Sequence, residues 1–222
     1  GSKVIIISSG GVGRPIDEIM LNKALFEREG VKLAGVIVNK VLPEKFDRVS
    51  KLVRKGLERK GLDVLGVIPY YPELSYPTVR QILEEANLKL LCGQSFLNNR
   101  VSKILIGAMQ TKDLTKYFQD QCLLITPGDR QDVLKIAFDA HRQDRKISGI
   151  IITGNFMPEK DMVDEFEKKG IPLLFSKDDT YTVVSSMHDL IVKMQPQDKE
   201  KINLAVKLVQ DYVDIDKLLK TL

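Results

Sequence analysis

The chain has 222 residues, 43% of them hydrophobic and 29% charged, a composition typical of a folded globular protein rather than a disordered one. Its 34 basic and 30 acidic residues leave a formal net charge of +4, an excess too small to imply nucleic-acid binding. No apolar run approaches the roughly 20 residues that span a bilayer, and the first residues lack a signal peptide's charged and apolar regions, so we expect a cytoplasmic protein.

The first half of the chain alternates between strands and helices. An apolar run predicts a first strand at Lys3 to Ser8, which continues into the glycine-rich turn Ser9 to Pro15. The next predicted elements are a helix at Pro15 to Glu29, a strand at Val31 to Val38, a helix at Pro43 to Gly61 and a strand at Leu62 to Ile68. Strands separated by helices of this length imply right-handed crossovers and a parallel sheet that is covered on both faces.

Three segments follow these strands and should line one edge of the sheet, because the carboxyl ends of parallel strands lie on the same side. Ligands of parallel sheets bind at this edge. They are the glycine turn with Gly10, Gly11, Gly13 and Arg14, the pair Asn39 and Lys40, and the segment Pro69 to Pro72. One interpretation is a nucleotide or anion pocket, in which Asn39 pairs with a base edge and the amides of the turn face a phosphate.

The other interpretation is three ordinary loop exits. Pro15 removes one amide donor from the turn, and Asp17 and Glu18 place carboxylates in the first turn of the helix, where they complement its dipole and would repel a phosphate. Arg14 would then pair with one of these acids. The glycine turn is thus the weaker candidate, and Asn39 the stronger one.

The polar segment Gly93 to Arg100 separates two periodic regions and predicts a domain boundary, with domains at 3–92 and 101–222. The strands predicted in the second half are Val101 to Met109, Cys122 to Thr126, Ile147 to Thr153 and Ile171 to Phe175. The helices predicted there are Lys112 to Phe118, Gln131 to His141, Glu159 to Lys169 and Tyr181 to Met194, the last with capping residues at Asp178 to Thr180. An apolar stripe from Asp198 onward predicts a C-terminal helix that packs on the domain or on a partner.

Polar loops also follow two strands of this second half. They are Gly128-Asp129-Arg130 and Thr153-Gly154-Asn155, whose strands could be neighbours in the sheet. An Asp-Arg pair beside a Thr-Gly turn could hold an anion or a ribose. Alternatively, Asp129 caps the following helix while Arg130 tethers the neighbouring loop. Neither loop supplies a nucleophile with an adjacent base, so the sequence predicts no catalytic residue.

The cysteines and histidines do not form a recognisable metal motif. Cys92 and Cys122 match no zinc or redox spacing, and only His141 and His188 could join them as ligands. We therefore expect neither a metal site nor a cysteine–histidine nucleophile.

The loops of the second half carry a resemblance to a known family. Gly128-Asp129-Arg130, followed by Thr153-Gly154-Asn155 and Asp179-Thr180-Tyr181, resembles the DRTGG domain family, with Asn155 in place of the family's second glycine. The resemblance implies a regulatory ligand or a dimer contact as the role of Asp129 and Arg130.

The first half resembles the later half of a dethiobiotin-synthetase-like P-loop domain, through Ser8 to Glu18, Val38 to Pro43 and Gly66 to Pro69. The Walker A sequence of such domains is absent from this chain. Joined in this order, the two halves resemble the N-terminal regulatory region of long phosphotransacetylases. The resemblance implies an α/β chain in which a partial P-loop-type parallel sheet, three-layer α/β/α, is followed by a second small α/β domain.

This resemblance also implies a function. It predicts a non-catalytic regulatory or nucleotide-sensing region, in which Asn39 reads the adenine of an adenine nucleotide. One alternative is an ATP-dependent synthase or ligase of the dethiobiotin or cobyrinic acid a,c-diamide type, inactive without its Walker A half. The other is a ligand-free dimerisation module. Because a truncated sheet leaves an open edge, we also predict a homodimer or an edge that the second domain covers.

Overall fold

The computed structural model describes residues 3–142, 146–188, 192, 194–196 and 198–221. The strands are β1 (Val4–Ser9), β2 (Leu33–Val41), β3 (Val64–Pro69), β4 (Lys89–Cys92), β5 (Lys103–Ile106), β6 (Cys122–Pro127), β7 (Ile147–Thr153) and β8 (Leu173–Phe175). The helices are α1 (Arg14–Arg28), α2 (Phe46–Glu58), α3 (Val79–Glu85), α4 (Thr111–Leu114), α5 (Gln131–Arg142), α6 (Lys160–Lys169), α7 (Thr180–His188), α8 (Lys199–Tyr212) and α9 (Ile215–Thr221). No helix within these ranges combines the length and apolar character needed to cross a bilayer.

The chain forms two compact units, one of residues 1–74 with 194–222 and one of residues 75–193. The division follows Leu74, whereas the sequence places it at Gly93 to Arg100. The residues that were assigned to the end of the second domain return to the first unit. The apolar stripe of the C-terminal helix predicts that it packs, but it cannot tell which unit receives it.

The first unit is the predicted parallel sheet. Its described strands lie in the order β1-β2-β3, and both pairings are parallel. On one face, Ile19 of α1 and Val53 of α2 pack against Val36 of β2. On the opposite face, Leu208 in the C-terminal half of α8 packs with Ile68 of β3. Helices therefore cover both faces, which gives the three-layer α/β/α arrangement.

The second unit is also a three-layer α/β/α structure. Its described strands lie in the order β4-β8-β7-β6-β5, and each pairing is parallel except that of β4 with β8. Leu134 of α5 and Phe166 of α6 are fully buried on one face, and Ile82 of α3 and Val183 of α7 are buried on the other.

Several boundaries differ from those predicted. No strand was predicted at the residues of β4, which were placed in the first domain; β4 pairs with β8, more than eighty residues later in the chain, a pairing that no local pattern reveals. The predicted helix Tyr181 to Met194 is α7, which ends at His188; Met194 is not helical, and residues 189–191 and 193 lie outside the described residues. The predicted strand Val101 to Met109 and helix Lys112 to Phe118 are both shorter in the structure.

Candidate functional site

The three strand exits of the first unit lie side by side, as predicted. Ser9 at the end of β1 is the register partner of Asn39 in β2, and Val41 at the end of β2 is the partner of Pro69 in β3. The Tyr70 backbone N–H donates to the Val41 carbonyl oxygen at 2.7 Å, which fixes the β3 exit beside the β2 exit. The carboxyl ends of these strands therefore form one continuous edge.

The glycine turn packs against the exit of β2. A side-chain carbon at Gly10 would lie 2.6 Å from the Val41 Cα, so only glycine fits there. Gly11 and Gly13 both have positive φ angles, of 147° and 101°, and Gly13 caps α1 with no side-chain hydrogen bond. The turn is thus built for close backbone approach to β2 and for starting a helix.

Arg14, the cation of the turn, is directed to an acid of its own helix. Its Nε donates to the Glu18 Oε1 at 2.9 Å, and its side chain is 90% exposed. Asp17 occupies the first turn of the same helix, where its charge complements the helix dipole. This geometry matches the interpretation in which Arg14 pairs with an acid rather than with a phosphate.

Asn39 and Lys40 follow at the neighbouring exit. The Lys40 backbone N–H donates to the Asn39 Oδ1 at 2.8 Å, and Lys40 is exposed in the left-handed region with φ of 61°. The Asn39 amide nitrogen, for which the described residues supply no acceptor, is available to a ligand acceptor such as a ring nitrogen.

A cavity of about 400 Å³ opens at the exits of β2 and β3. We call it the aromatic pocket, and it is lined by Pro43, Phe46, Pro69, Tyr70, Tyr71, Pro72, Glu73 and Tyr212. The rings of Phe46 and Tyr212 meet edge to face, with centroids 5.6 Å apart. Burial, and then the neighbouring phenol of Tyr71, raises the pKa of Tyr212. Aromatic walls of this kind suit a planar ring.

Sequence reasoning found only part of this pocket. The segment Pro69 to Pro72 was a candidate from its position after β3, but neither Phe46 nor Tyr212 was singled out as a site residue. The available signal was the clustering of aromatic and proline residues at strand exits. Tyr212 carries no such signal, because its place in the pocket depends on the return of α8 to the first unit.

The motif loops of the second unit also lie on one edge. β6 and β7 are neighbouring strands, and the Gly128 N–H donates to the Thr153 carbonyl oxygen at 3.0 Å. The Gly154 N–H donates to the Asp178 carbonyl oxygen at 2.8 Å, which joins the β7 exit to the residues before α7. The strands that carry the two motif loops could be neighbours on sequence grounds, and in the structure they are.

The β7 exit turns through two left-handed residues. Gly154 has φ of 83° and the exposed Asn155 has φ of 56°, a conformation that asparagine tolerates better than most residues. Thr153 is fully buried, and its hydroxyl meets that of Thr180 at 2.7 Å. Asparagine can therefore stand where the DRTGG motif has its second glycine.

Arg130 is engaged by its own domain. Its Nε and Nη2 donate to the two Asp132 carboxylate oxygens, both at 2.9 Å. Nη1 donates to the Gly107 carbonyl oxygen at 3.3 Å, and Nη2 also donates to the Met109 carbonyl oxygen at 3.2 Å. Four of the five guanidinium N–H groups are thus used, which is the tethering role that the sequence left open for Arg130. The neighbouring Asp129 is exposed.

These hydrogen bonds also change the local acidity. The hydrogen bond from Arg130 lowers the pKa of Asp132, and the same contact raises the pKa of Arg130. A shallow cavity of about 430 Å³ lies alongside, lined by residues 108–111 with Arg130 and Asp132. An anion that binds Arg130 from this cavity would have to use the one remaining N–H group or displace Asp132.

Asp179 caps α7. Its carboxylate accepts hydrogen bonds from the Tyr181 N–H at 2.8 Å and from the Thr182 N–H at 3.1 Å. The Thr182 hydroxyl also donates to it at 2.6 Å and is the main cause of the lowered pKa of Asp179. The capping role predicted for this segment is confirmed.

Both cysteines are core residues of the second unit. Burial raises the pKa of the Cys92 thiol to about 11, and burial also raises the pKa of Cys122. Thiols with raised pKa values are poor nucleophiles at neutral pH. Across the ranges that the structure describes, no group of three or more His, Cys, Asp or Glu side chains is placed to hold a metal ion.

Two family models match the chain. A model of the DRTGG domain matches residues 81–190, and a model described as an AAA domain matches residues 1–78. The phosphate acetyltransferase of Synechocystis is 31% identical over 94% of this chain and 30% of its own length. That of Nitratidesulfovibrio vulgaris is 26% identical over 98% of this chain and 32% of its own length. The chain spans about a third of the length of these curated relatives.

Among solved structures, the chain is similar to the CBS and DRTGG domains of the regulatory region of Clostridium perfringens pyrophosphatase, complexed with the activator diadenosine tetraphosphate. The two are 13% identical with a TM-score of 0.46, over 89% of this chain and 80% of the other.

Proposed function

Since the chain carries a DRTGG domain behind an AAA domain and corresponds to the N-terminal region of long phosphotransacetylases, we propose that it is a nucleotide-sensing regulatory region without a catalytic centre of its own. The ligand that the geometry favours is an adenine nucleotide at the carboxyl edge of the first sheet. Its base lies in the aromatic pocket, and Asn39 near the end of β2 reads the base edge.

The aromatic pocket is the observation that carries this proposal. Its volume of about 400 Å³ is within the range of small-molecule sites, which are mostly apolar clefts with a few polar groups. Three tyrosine rings and a phenylalanine ring offer stacking surfaces worth about 1 kcal/mol each beyond simple burial. Glu73 is the pocket's charged residue and can accept hydrogen bonds from a ribose hydroxyl.

The cations at the same edge suit binding of a nucleotide better than transfer of its phosphoryl group. Transfer of a phosphoryl group needs a cation beside the β- and γ-phosphates, the task of the Walker lysine. Here Arg14 pairs with Glu18, and Lys40 is the exposed cation at the β2 exit. A lone exposed lysine can attract a phosphate but does not enclose it.

The second unit is proposed to contribute a separate contact surface. Asp129 and Asn155 are exposed at neighbouring strand exits and are the proposed contacts for an effector or a partner subunit there. Arg130, Thr153 and Gly154 hold the loops in place through the hydrogen bonds described above.

Calorimetry with ATP, ADP, AMP and acetyl-CoA tests the proposal. We expect adenine nucleotides to bind and Tyr70→Ala to weaken that binding about fivefold, because a lost stacking contact of about 1 kcal/mol corresponds to roughly a factor of five. Asn39→Ala should weaken binding similarly through its lost hydrogen bonds.

Tyr181→Ala is the matched control, since Tyr181 lies in the second unit and is 81% exposed. It should bind as the unchanged protein does. Absence of nucleotide binding at millimolar concentration would leave only the ligand-free dimerisation module. Hydrolysis of ATP above background would instead favour the ATP-dependent synthase.

We also propose that the chain forms a homodimer through the open edge of the first sheet. As described, β1 pairs only with β2. Ile7 on this edge strand is 66% exposed, and Leu21 and Leu25, one turn apart on α1, are 72% and 48% exposed. Exposed apolar edges of this kind invite pairing.

Sedimentation checks this association. The unchanged chain should sediment as a dimer, and Ile7→Lys should sediment as a monomer because a charge on an edge strand opposes pairing. Leu52→Lys, which changes an exposed apolar residue of α2, serves as the control and should remain dimeric. A monomer in the unchanged chain would refute the proposed contact.

A further inference from the structure

The C-terminal helices close the face of the first sheet opposite α1 and α2. Leu208 of α8 and Val213, between α8 and α9, are buried together with Ile68 of β3. Ile37 of β2 and Ile215 of α9 pack against the same cluster. This helix pair is separated from the rest of its unit by the whole of the second unit along the chain.

The junction between α8 and α9 is joined directly to β3. Gly66 and Val213 form an antiparallel bridge, and the Asp214 N–H donates to the Leu65 carbonyl oxygen at 2.8 Å. A side-chain carbon at Gly66 would lie 2.8 Å from the Tyr212 carbonyl oxygen, so the close approach requires glycine. The Lys217 Nζ meets the Asp63 carboxylate at 2.6 Å, at the start of the same strand. The helix pair is therefore held by backbone contacts to the strand whose exit forms the aromatic pocket.

Tyr212 connects this helix pair to the pocket. It is the last residue of α8, and its ring packs edge to face on Phe46 at the start of α2. Tyr212 lines the pocket together with Tyr71 on the β3 exit. One wall of the pocket therefore comes from α8, while the other walls come from residues 43–46 and 69–73.

We propose that the aromatic pocket is a composite site in which the ligand contacts both the β3 exit and Tyr212, so that ligand binding and docking of α8 and α9 stabilise each other. This inference rests on the proposed nucleotide function and adds its route of regulation. When α8 and α9 undock, the pocket loses the wall that Tyr212 forms and should bind its ligand less tightly. A ligand bound in the pocket should in turn favour the docked state. Thermodynamic linkage requires that docking raises the ligand affinity by the same factor by which the ligand raises the docking equilibrium constant.

Amide hydrogen exchange of residues 199–221, with and without ADP, tests the coupling. If ADP binds only the docked form, a free concentration about ten times its dissociation constant should slow exchange through undocking about tenfold. Tyr212→Leu should remove most of this protection. Tyr212→Phe keeps the ring against Phe46 and should retain most of it.

The reciprocal effect is tested from the other side. Gly66→Ala and the milder Lys217→Ala both loosen the helix pair without changing a residue that lines the pocket. Each should weaken ADP binding in calorimetry, and Gly56→Ala should not, because a side-chain carbon there makes only an ordinary contact, 3.9 Å from Ile16.

The outcomes separate the two proposals. If ADP binds and protects the β3 exit but leaves exchange in residues 199–221 unchanged, the coupling is wrong and the sensing function stands. If ADP fails to bind the unchanged protein in calorimetry, the proposed function is wrong and the coupling falls with it.

Discussion

Gly128→Ala is expected to destabilise the second unit by about 3 kcal/mol, a large effect for a single added carbon. The added carbon would collide with the Phe156 carbonyl oxygen and would lie 2.8 Å from both the Ile152 Cγ2 and the Phe156 Cβ. The backbone at this point cannot easily move aside, because the Gly128 N–H is bonded to the Thr153 carbonyl oxygen at 3.0 Å. The first residue of the motif loop is therefore a packing residue.

Urea unfolding followed by circular dichroism measures this effect, since the chain contains no tryptophan for fluorescence. Amide exchange should assign the lost stability to β6 and β7. Gly154→Ala on the same edge is the control. Its added carbon has space, with Phe156 3.8 Å away, and the only strain comes from the left-handed backbone conformation at this position. Gly154→Ala should lower the free energy of unfolding of the second unit by about 1 kcal/mol. Equal losses for the two variants would show that the close packing at Gly128 does not limit stability.

Local patterns predicted much of this fold because the elements have strong periodicity. β7 lies at Ile147–Thr153, as its apolar run predicts, and the three strand exits of the first unit line one edge. Parallel sheets make this inference dependable, since every carboxyl end points the same way. The pairing of β4 with β8 and the return of α8 were not predictable, because each depends on partners far away in the chain.

The candidate site, too, was predictable from local patterns only in part. Position after a strand identified Asn39 and the Pro69 to Pro72 segment, but the pocket also needs Phe46 and Tyr212, which only the folded chain brings there. Likewise, the sequence offered two roles for Arg130 and could not choose between them. The choice depends on how many guanidinium donors are already satisfied, and that number is a property of the three-dimensional structure.

Arg130→Met tests that choice and should lower the free energy of unfolding of the second unit by about 2 kcal/mol. The variant leaves the Gly107 and Met109 carbonyl oxygens without their charged donor. Loss of the ion pair with Asp132 contributes little to this destabilisation, because the Asp132 side chain is 52% exposed and solvent screens its charge. Amide exchange should also quicken in residues 107–111, which Arg130 tethers.

The pH dependence gives an independent reading of the same pair. The pKa of Asp132 is lowered in the folded state, so its contribution to stability is present above the ordinary aspartate pKa and is lost as pH falls through the folded-state pKa. Arg130→Met should remove this acid-dependent part, and Asp132→Asn should remove it while leaving the two carbonyl bonds. Had Arg130 served chiefly to bind an anion, Arg130→Met would keep its stability and its acid profile and would lose only stabilisation by added phosphate.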